Sequence, residues 1–414
     1  MAKGTFRSLR FHNFRLWAGA SLVSNVGSWM QRTAQDWLVL TVLTHNNATA
    51  VGVVVALQFA PQVLLLPLTG FAADHFDKRK LIFATQTAMG LLALGLGLLV
   101  YTGLARLWQV DVFALLLGCV AAFDMPVRQV FVGELVGEAD LANAVALNST
   151  LFNAARMLGP AVAGILIAAV GTGAVFLLNA ASFVAVLAAL ALLRGEALHR
   201  HPRAEKRRGS LAEGVRYIWQ RPDLKAALLM LLLVGMFGLN FPIFISTMSV
   251  AVFHSGASQF GVLTSMMAIG SVVGALLAAR RGRPDMGVLL VGVLIFGIGC
   301  AVAAVMPNYL LFGLALVVVG VATQIFTTST NSLVQLSTAP HMRGRVLAIL
   351  LAVALGGTPL GAPIVGWVAD RFGPRAALGV GAASGFAAAI IAVIYLTRRA
   401  SVGVTVGADK PHEA

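Results

Sequence analysis

Charge is scarce in this chain: 11% of its 414 residues are Asp, Glu, Lys or Arg, against about 25% in soluble domains. With 58% hydrophobic residues and a mean hydropathy of +0.86, a soluble globule could not keep so much apolar surface from water. Cysteine is scarcer still. Cys119 and Cys300 lie far apart in apolar runs, which excludes a disulfide framework and reads both as small packing residues. There is no HExxH, no G-x-S-x-G and no P-loop, and the eight histidines form no ligand cluster. Nothing in the sequence therefore supports a membrane enzyme, a bound metal or a cofactor. A small-residue cleavage site is also missing after the basic start "MAKGTFRSLRFHNFR", so the first apolar segment is expected to stay in the protein.

What is present is a series of long uncharged runs. Windows of about 20 or more apolar residues fall at roughly 14–43, 49–71, 81–101, 108–131, 142–170 and 173–193, then at roughly 224–253, 258–280, 286–305, 309–337, 346–370 and 375–397. The expected fold is an all-α integral membrane protein of twelve transmembrane helices in two pseudo-symmetric six-helix bundles. Its expected organisation is an N-terminal bundle 1–193, a basic linker 194–223, a C-terminal bundle 224–397 and a tail 398–414. A weak internal repeat agrees with the duplication. Gly159, Gly164 and Gly171 of the fifth span recur as Gly361, Gly366 and Gly373 of the eleventh, at an offset of 202 each time. Such duplicated units flank a central site at mid-membrane depth, although small residues also serve close helix packing alone.

The net charge of +14 could suggest nucleic acid, but the basic residues sit in alternate loops. That is a topology signal, and it places both termini and the linker in the cytoplasm of a multi-pass cell (inner) membrane protein. The linker, with its amphipathic end "LAEGVRYIW", is expected to touch anionic lipid headgroups rather than nucleic acid.

A charge inside hydrocarbon costs about 2.5–3.5 kcal/mol on insertion scales, so each one implies a partner or a task. Asp124 and Arg128 stand one helical turn apart in the fourth span, and Arg32 and Asp36 one turn apart in the first. Each acid is thereby expected to have a counter-ion on its own helix face. Helix direction puts Asp36 toward the outer half and Asp124 toward the inner half. Both pairs can be read as proton-coupling groups or as locked ion pairs holding the bundle together, and Pro126, between the fourth-span pair, suits either role. Arg156 has no acid within a turn of its own helix, which suits an anionic substrate or the carboxylates of the fourth span. Gln58, Gln62, Asn240, Gln324, Thr328 and Asn331 are candidates for the substrate path, with interhelical glue as the alternative. Phe237, Phe241 and Phe244 could line an apolar pocket or simply pack.

The loop "GFAADHFDKRK", 70–80, resembles the loop signature of the major facilitator superfamily: Gly70, Asp74, Lys78, Arg79 and Lys80 match, and Asp77 replaces the usual glycine. The likeness extends along the chain: "VGSWMQRTAQDWLVL", "FDMPVRQVFVGELVGEADLANAVALNSTLFNAARMLGP" and the glycines of the eleventh span resemble the enterobactin-exporter-like branch, whose members include siderophore exporters and proton-driven drug efflux pumps. The resemblance implies alternating access, with Asp74 as a latch that holds the cytoplasmic side shut. A second match, "GWVADRFGPR" at 366–375, falls on the outer side by helix counting and is not expected to share that role. At the position set by symmetry, "GALLAARRGRP" keeps Gly274 but has no Asp. The function expected is a monomeric, proton-coupled exporter of a lipophilic, drug-like or siderophore-like small molecule. A proton-coupled importer is the alternative, because it shares every physical feature except the branch resemblance.

Overall fold

The computed structural model describes residues 6–199, 211–280 and 284–408. Helices dominate, and no strand occurs among the described residues. The first span is α1 (His12–Trp37), continued by a π-helical turn, Leu38–Leu43. The second is split at Leu65 into α2 (Ala48–Leu64) and α3 (Leu66–His75). Then follow α4 (Lys78–Tyr101) and α5 (Leu107–Val136). A continuous run, α6 (Leu141–Leu192), carries the fifth and sixth spans and breaks at Gly171, whose φ of 81° lies where only glycine sits without strain.

The linker ends in a short helix, α7 (Leu211–Gln220); the rest of it, 200–210, lies outside the described residues. The seventh span is interrupted, as α8 (Pro222–Leu233) and α9 (Phe241–Thr247) with π-helical turns after each. Five more helices complete the chain: α10 (Ala257–Ala279), α11 (Met286–Val305), α12 (Tyr309–Ser337), α13 (Arg343–Phe372) and α14 (Pro374–Ala408). This is the expected twelve-span pattern. Among the described residues, nine helical stretches are long and apolar enough to cross a membrane by themselves. The stretch through α6 holds two spans, α1 is diluted by its charged and amide residues, and α2 is too short without α3.

Caps fix where several helices start, because the first backbone donors of a helix need acceptors. Asn47 accepts from the Ala50 amide (2.9 Å), Asp77 from Lys80 (3.0 Å), Asp285 from Val288 (3.0 Å) and Asn308 from Leu311 (3.0 Å).

The chain forms two compact units. The first is Met1–Lys206 with Phe241–Ala268 and Ala362–Pro374. The end of this unit that holds the N-terminus, the near side, is packed by Phe14, Trp17, Ile82, Phe131 and Leu190, with Trp17 edge-on to Phe131 at 5.3 Å. There Arg7 and Arg10 clasp Asp140 at 2.7 and 2.6 Å. At the opposite end, the far side, the structure repeats itself. His45 and His254 both have positive φ, 48° and 49°, and Asn46 and Ser255 donate to the carbonyls of Leu40 (2.6 Å) and Ser249 (2.8 Å). The segments "HNNATAVG" and "HSGASQFG" that begin there keep His, Ala, a hydroxyl residue and Gly in step, at an offset of 209.

The second unit is Arg207–Asn240, Ile269–Gly361 and Arg375–Ala414. Its α11 and α12 meet where Gly292 faces Phe326 and Gly299 faces Val319. The amphipathic α7 docks on the start of α13: Gly214 rests against Arg345 and Ile349, Glu213 pairs with Arg345 at 3.2 Å, and the Tyr217 hydroxyl accepts from the Ala339 amide at 3.2 Å.

Candidate functional site

The two acid and arginine pairs, alike in sequence, are unlike in surroundings. Asp124 sits in the interior of α5. Its Oδ1 accepts from the Thr85 hydroxyl (2.6 Å) and the Gln86 amide (2.9 Å), and its Oδ2 faces Arg128 at 3.6 Å. Both donors come from α4, so the carboxylate ties α4 to α5 while the Arg128 guanidinium lies over Trp17, 5.1 Å from its ring centre. Three donors from two helices thus converge on a single carboxylate.

Asp36 is buried as well, yet among the described residues no hydrogen bond reaches it. The expected counter-ion does not close on it: among the described residues, Arg32 and Asp36 form no ion pair. The reason lies with Arg32, whose guanidinium is drawn to two ring faces instead, Trp29 at 5.2 Å and Phe59 of α2 at 5.5 Å. Trp29 in turn meets Phe152 of α6 edge-on at 6.0 Å. Arg156 follows Phe152 by one helical turn, so it lies on the same face, and its buried Nε has no hydrogen-bond partner among the described residues. Among the described residues, the first unit thus gathers two guanidiniums without carboxylate partners, three aromatic rings and one carboxylate without a donor.

The amides beside this cluster are half-committed. Gln62 donates to the Gln58 carbonyl (3.2 Å), while the Gln58 Nε2 has no partner. Uncharged residues also form a buried polar stripe on α1: Ser21, Ser24, Gln31 and Gln35 follow at intervals of three, seven and four, on one helix face. Gln31 accepts from Asn179 at 2.6 Å, whereas Ser21 Oγ, Ser24 Oγ and Gln35 Nε2 have no partner. The spacing of small and amide polar residues was the available signal. Asp111, in the second turn of α5, was also overlooked, and its Oδ1 has no partner.

The family model described as transmembrane secretion effector matches residues 3–404, nearly the whole chain. The chain belongs to the major facilitator superfamily. This transporter is 26% identical over 363 residues to the staphyloferrin A transporter of Staphylococcus aureus, covering 86% of this chain and 89% of that one. It is 26% identical to the multidrug efflux pump Tap of Mycolicibacterium fortuitum (86% and 89% covered) and 25% identical to the enterobactin exporter EntS of Citrobacter koseri (86% and 85%). Among solved structures, it is similar to a bacterial homologue of the human lysosomal transporter Spinster, with TM-score 0.71, 16% identity and 97% and 99% of the two chains covered. A D-xylose-proton symporter matches with TM-score 0.72, 12% identity and 94% and 97% covered. At those identities the likeness is one of fold.

In the loop 70–80, Gly70 has open space around it. The Asp74 side chain lies outside the described residues. Lys78 pairs with Glu134 at the end of α5 (2.7 Å), Arg79 donates to the last carbonyls of α6, Leu190 (2.5 Å) and Ala191 (3.2 Å), and the Lys80 amide is capped by Asp77. Lys78 and Arg79 are therefore committed to neighbouring helices of the N-terminal half. In the second unit, Asn240 donates to the Met236 carbonyl (2.8 Å) and its Oδ1 has no partner, Gln324 donates to Thr328 (3.0 Å), and Asn331 accepts from Gln335 (2.6 Å). Phe241 and Phe244 are buried against each other, ring centres 5.9 Å apart.

Proposed function

We propose that this transporter is a proton-driven exporter of a lipophilic, aromatic small molecule, drug-like or siderophore-like, and that Asp36 rather than Asp124 carries the proton. The observation behind it is the contrast between the two acids. Asp124 is held by contacts to Thr85, Gln86 and Arg128, whereas among the described residues no hydrogen bond reaches Asp36. A carboxylate exposed to a translocation path can load a proton on one side of the membrane and release it on the other as access alternates.

Antiport requires that proton and substrate exclude each other. A substrate hydroxyl or ammonium that donates to ionised Asp36 meets this condition, since it cannot bind the protonated acid equally well. Trp29, Phe59 and Phe152 supply ring faces for the apolar part of such a molecule, and the names of the siderophore and multidrug relatives support the class. The two guanidiniums, which have no carboxylate partner among the described residues, favour a second reading. A substrate whose anionic group took Arg32 or Arg156 would be welcomed by protonated Asp36 and repelled by the ionised form, which couples proton and substrate in the same direction, as in a symporter. In either case the transporter acts as a monomer in the cytoplasmic membrane, with both termini and the basic linker on the cytoplasmic side against anionic lipid. The loop around Asp74 closes that side in the outward-open state.

Transport by purified protein in liposomes, with a compound panel and an imposed pH gradient, tests the proposal. Uptake against the proton gradient that disappears in Asp36→Asn is the expected result. Accumulation in the direction of proton flow would replace export with symport, and gradient-driven transport by Asp36→Asn would overturn the role of that acid.

A further inference from the structure

The motif "GWVADRFGPR" holds a carboxylate, Asp370, whose contacts give it a task. Asp370, at the far-side end of α13, grips the first turn of α2: Oδ1 accepts from the Ala48 amide (2.7 Å), and Oδ2 from the Thr49 amide (2.8 Å) and the Thr49 hydroxyl (2.5 Å). The first amides of a helix have no partner within it and carry the positive end of its dipole, so a carboxylate supplied by another helix binds there strongly. The two helices are antiparallel and in register. A methyl group on Gly366 would meet the Ala48 carbonyl at 2.5 Å, and one on Gly52 would meet Pro363 Cα at 2.9 Å, so backbone lies against backbone for a full turn below the grip.

The counterpart of this contact under the internal repeat lacks the carboxylate. Gly164 packs on the start of α10, where an added methyl group would lie 2.6 Å from the Ala257 carbonyl and 3.1 Å from Gly261 Cα. The hydroxyl equivalent to Thr49, that of Ser258, donates to the Gly164 carbonyl at 3.4 Å, and the residue equivalent to Asp370 is Ala168. Packing is duplicated, and the grip is not.

We propose that Asp370 is a positioning residue for transport: it latches α2 to α13 at the far side, and that side opens only when its three hydrogen bonds are given up. The latch holds the helix that carries Gln58, Phe59 and Gln62, so opening moves those residues with it. Next to it lies a small cavity of about 270 Å³, lined in part by Leu40, Thr247, Val250 and Asp370, whose walls become accessible when the latch parts. The inference is independent of which substrate is carried and of which acid moves the proton.

The test uses the full chain in membranes, with Cys119→Ala as background, buried Cys300 retained as an internal control and a reporter thiol from Thr247→Cys. A membrane-impermeant maleimide is applied to the side from which a separate Tyr101→Cys reporter reacts, since Tyr101 is an exposed far-side residue. Asp370→Ala is expected to raise the labelling rate at position 247 by about tenfold or more, the factor that corresponds to one lost hydrogen bond to a charged acceptor, with Cys300 unreactive. Asp370→Asn, which retains one acceptor oxygen, and Thr49→Val, which removes the hydroxyl alone, are expected to fall between the parent and Asp370→Ala. Unchanged labelling in Thr49→Val and in the folded Asp370 variants overturns the latch. So does a parallel rise at positions 247 and 300, which means general loosening.

Discussion

Replacing Asp124 by Asn tests whether that acid is structural. The substitution removes the charge that offsets Arg128 and leaves one carbonyl oxygen where the carboxylate served Thr85, Gln86 and Arg128. Breaking one side of a buried ion pair costs about 3–5 kcal/mol. The lower end applies, because the Arg128 side chain keeps 18% exposure and still lies over the Trp17 ring. A loss of about 3 kcal/mol is roughly two orders of magnitude in the folding equilibrium. The assay is thermal unfolding and yield of purified protein in detergent, with Asp124→Asn/Arg128→Gln alongside. The double variant removes both charges, so it is expected to regain most of the stability and transport lost in the single one. The reasoning fails if Asp124→Asn is as stable as the parent yet binds substrate without gradient-driven transport. It fails equally if the double variant is stable but uncoupled, since either outcome makes Asp124 a proton relay.

Asp36→Asn is expected to abolish coupling with little change in melting temperature, since it breaks no hydrogen bond among the described residues; a large drop in stability would mark Asp36 as structural. Arg156→Lys keeps the charge but loses the planar fork, so weakened substrate binding in both Arg156→Lys and Arg156→Gln is expected, and unchanged affinity in both would remove Arg156 from recognition. Gly373→Ala has open space around it but a φ of 92°, so its cost is backbone strain of about 1–2 kcal/mol, read as a lower melting temperature without a packing defect; no shift would contradict that account. Glu134→Gln unpairs Lys78 and is expected to loosen the near end of α5, measured as faster amide exchange at residues 131–136; unaltered exchange would show the pair to be dispensable.

Helix number and most boundaries were legible because hydrocarbon demands long apolar runs with every backbone group satisfied internally. Met286–Val305 and Tyr309–Ser337 fall on the expected windows to the residue. Interruptions were not legible: the break at Leu65 and the π-helical turns after α1, α8 and α9 leave no gap in hydropathy. The site was half legible. Spacing of i and i+4 gave two acid and arginine pairs, but it says only that two side chains share a face, not what else competes for them. For Asp124 the competitors were two donors on α4, and for Arg32 they were rings on α1 and α2, one of them from a separate span. A rule local to one helix cannot see partners brought by another.

The repeat explains why the glycines could be read and the carboxylates could not. Gly164 and Gly366, and Gly52 and Gly261, occupy matching places because each faces the backbone of another helix, where any side chain would collide; duplication conserves a requirement set by geometry alone. Direction of transport and coupling to protons need the opposite, a difference between one side and the other. In this chain two acids have no counterpart under the same offsets: Asp36 matches Ile245 and Asp370 matches Ala168. A duplicated scaffold supplies two equivalent far-side contacts, and one unduplicated carboxylate makes them unequal in strength. The contact between α6 and α10, held by packing and a 3.4 Å hydroxyl bond, is therefore expected to part before that between α2 and α13. Single-thiol labelling at the two interfaces would reveal that order, and simultaneous exposure would refute it.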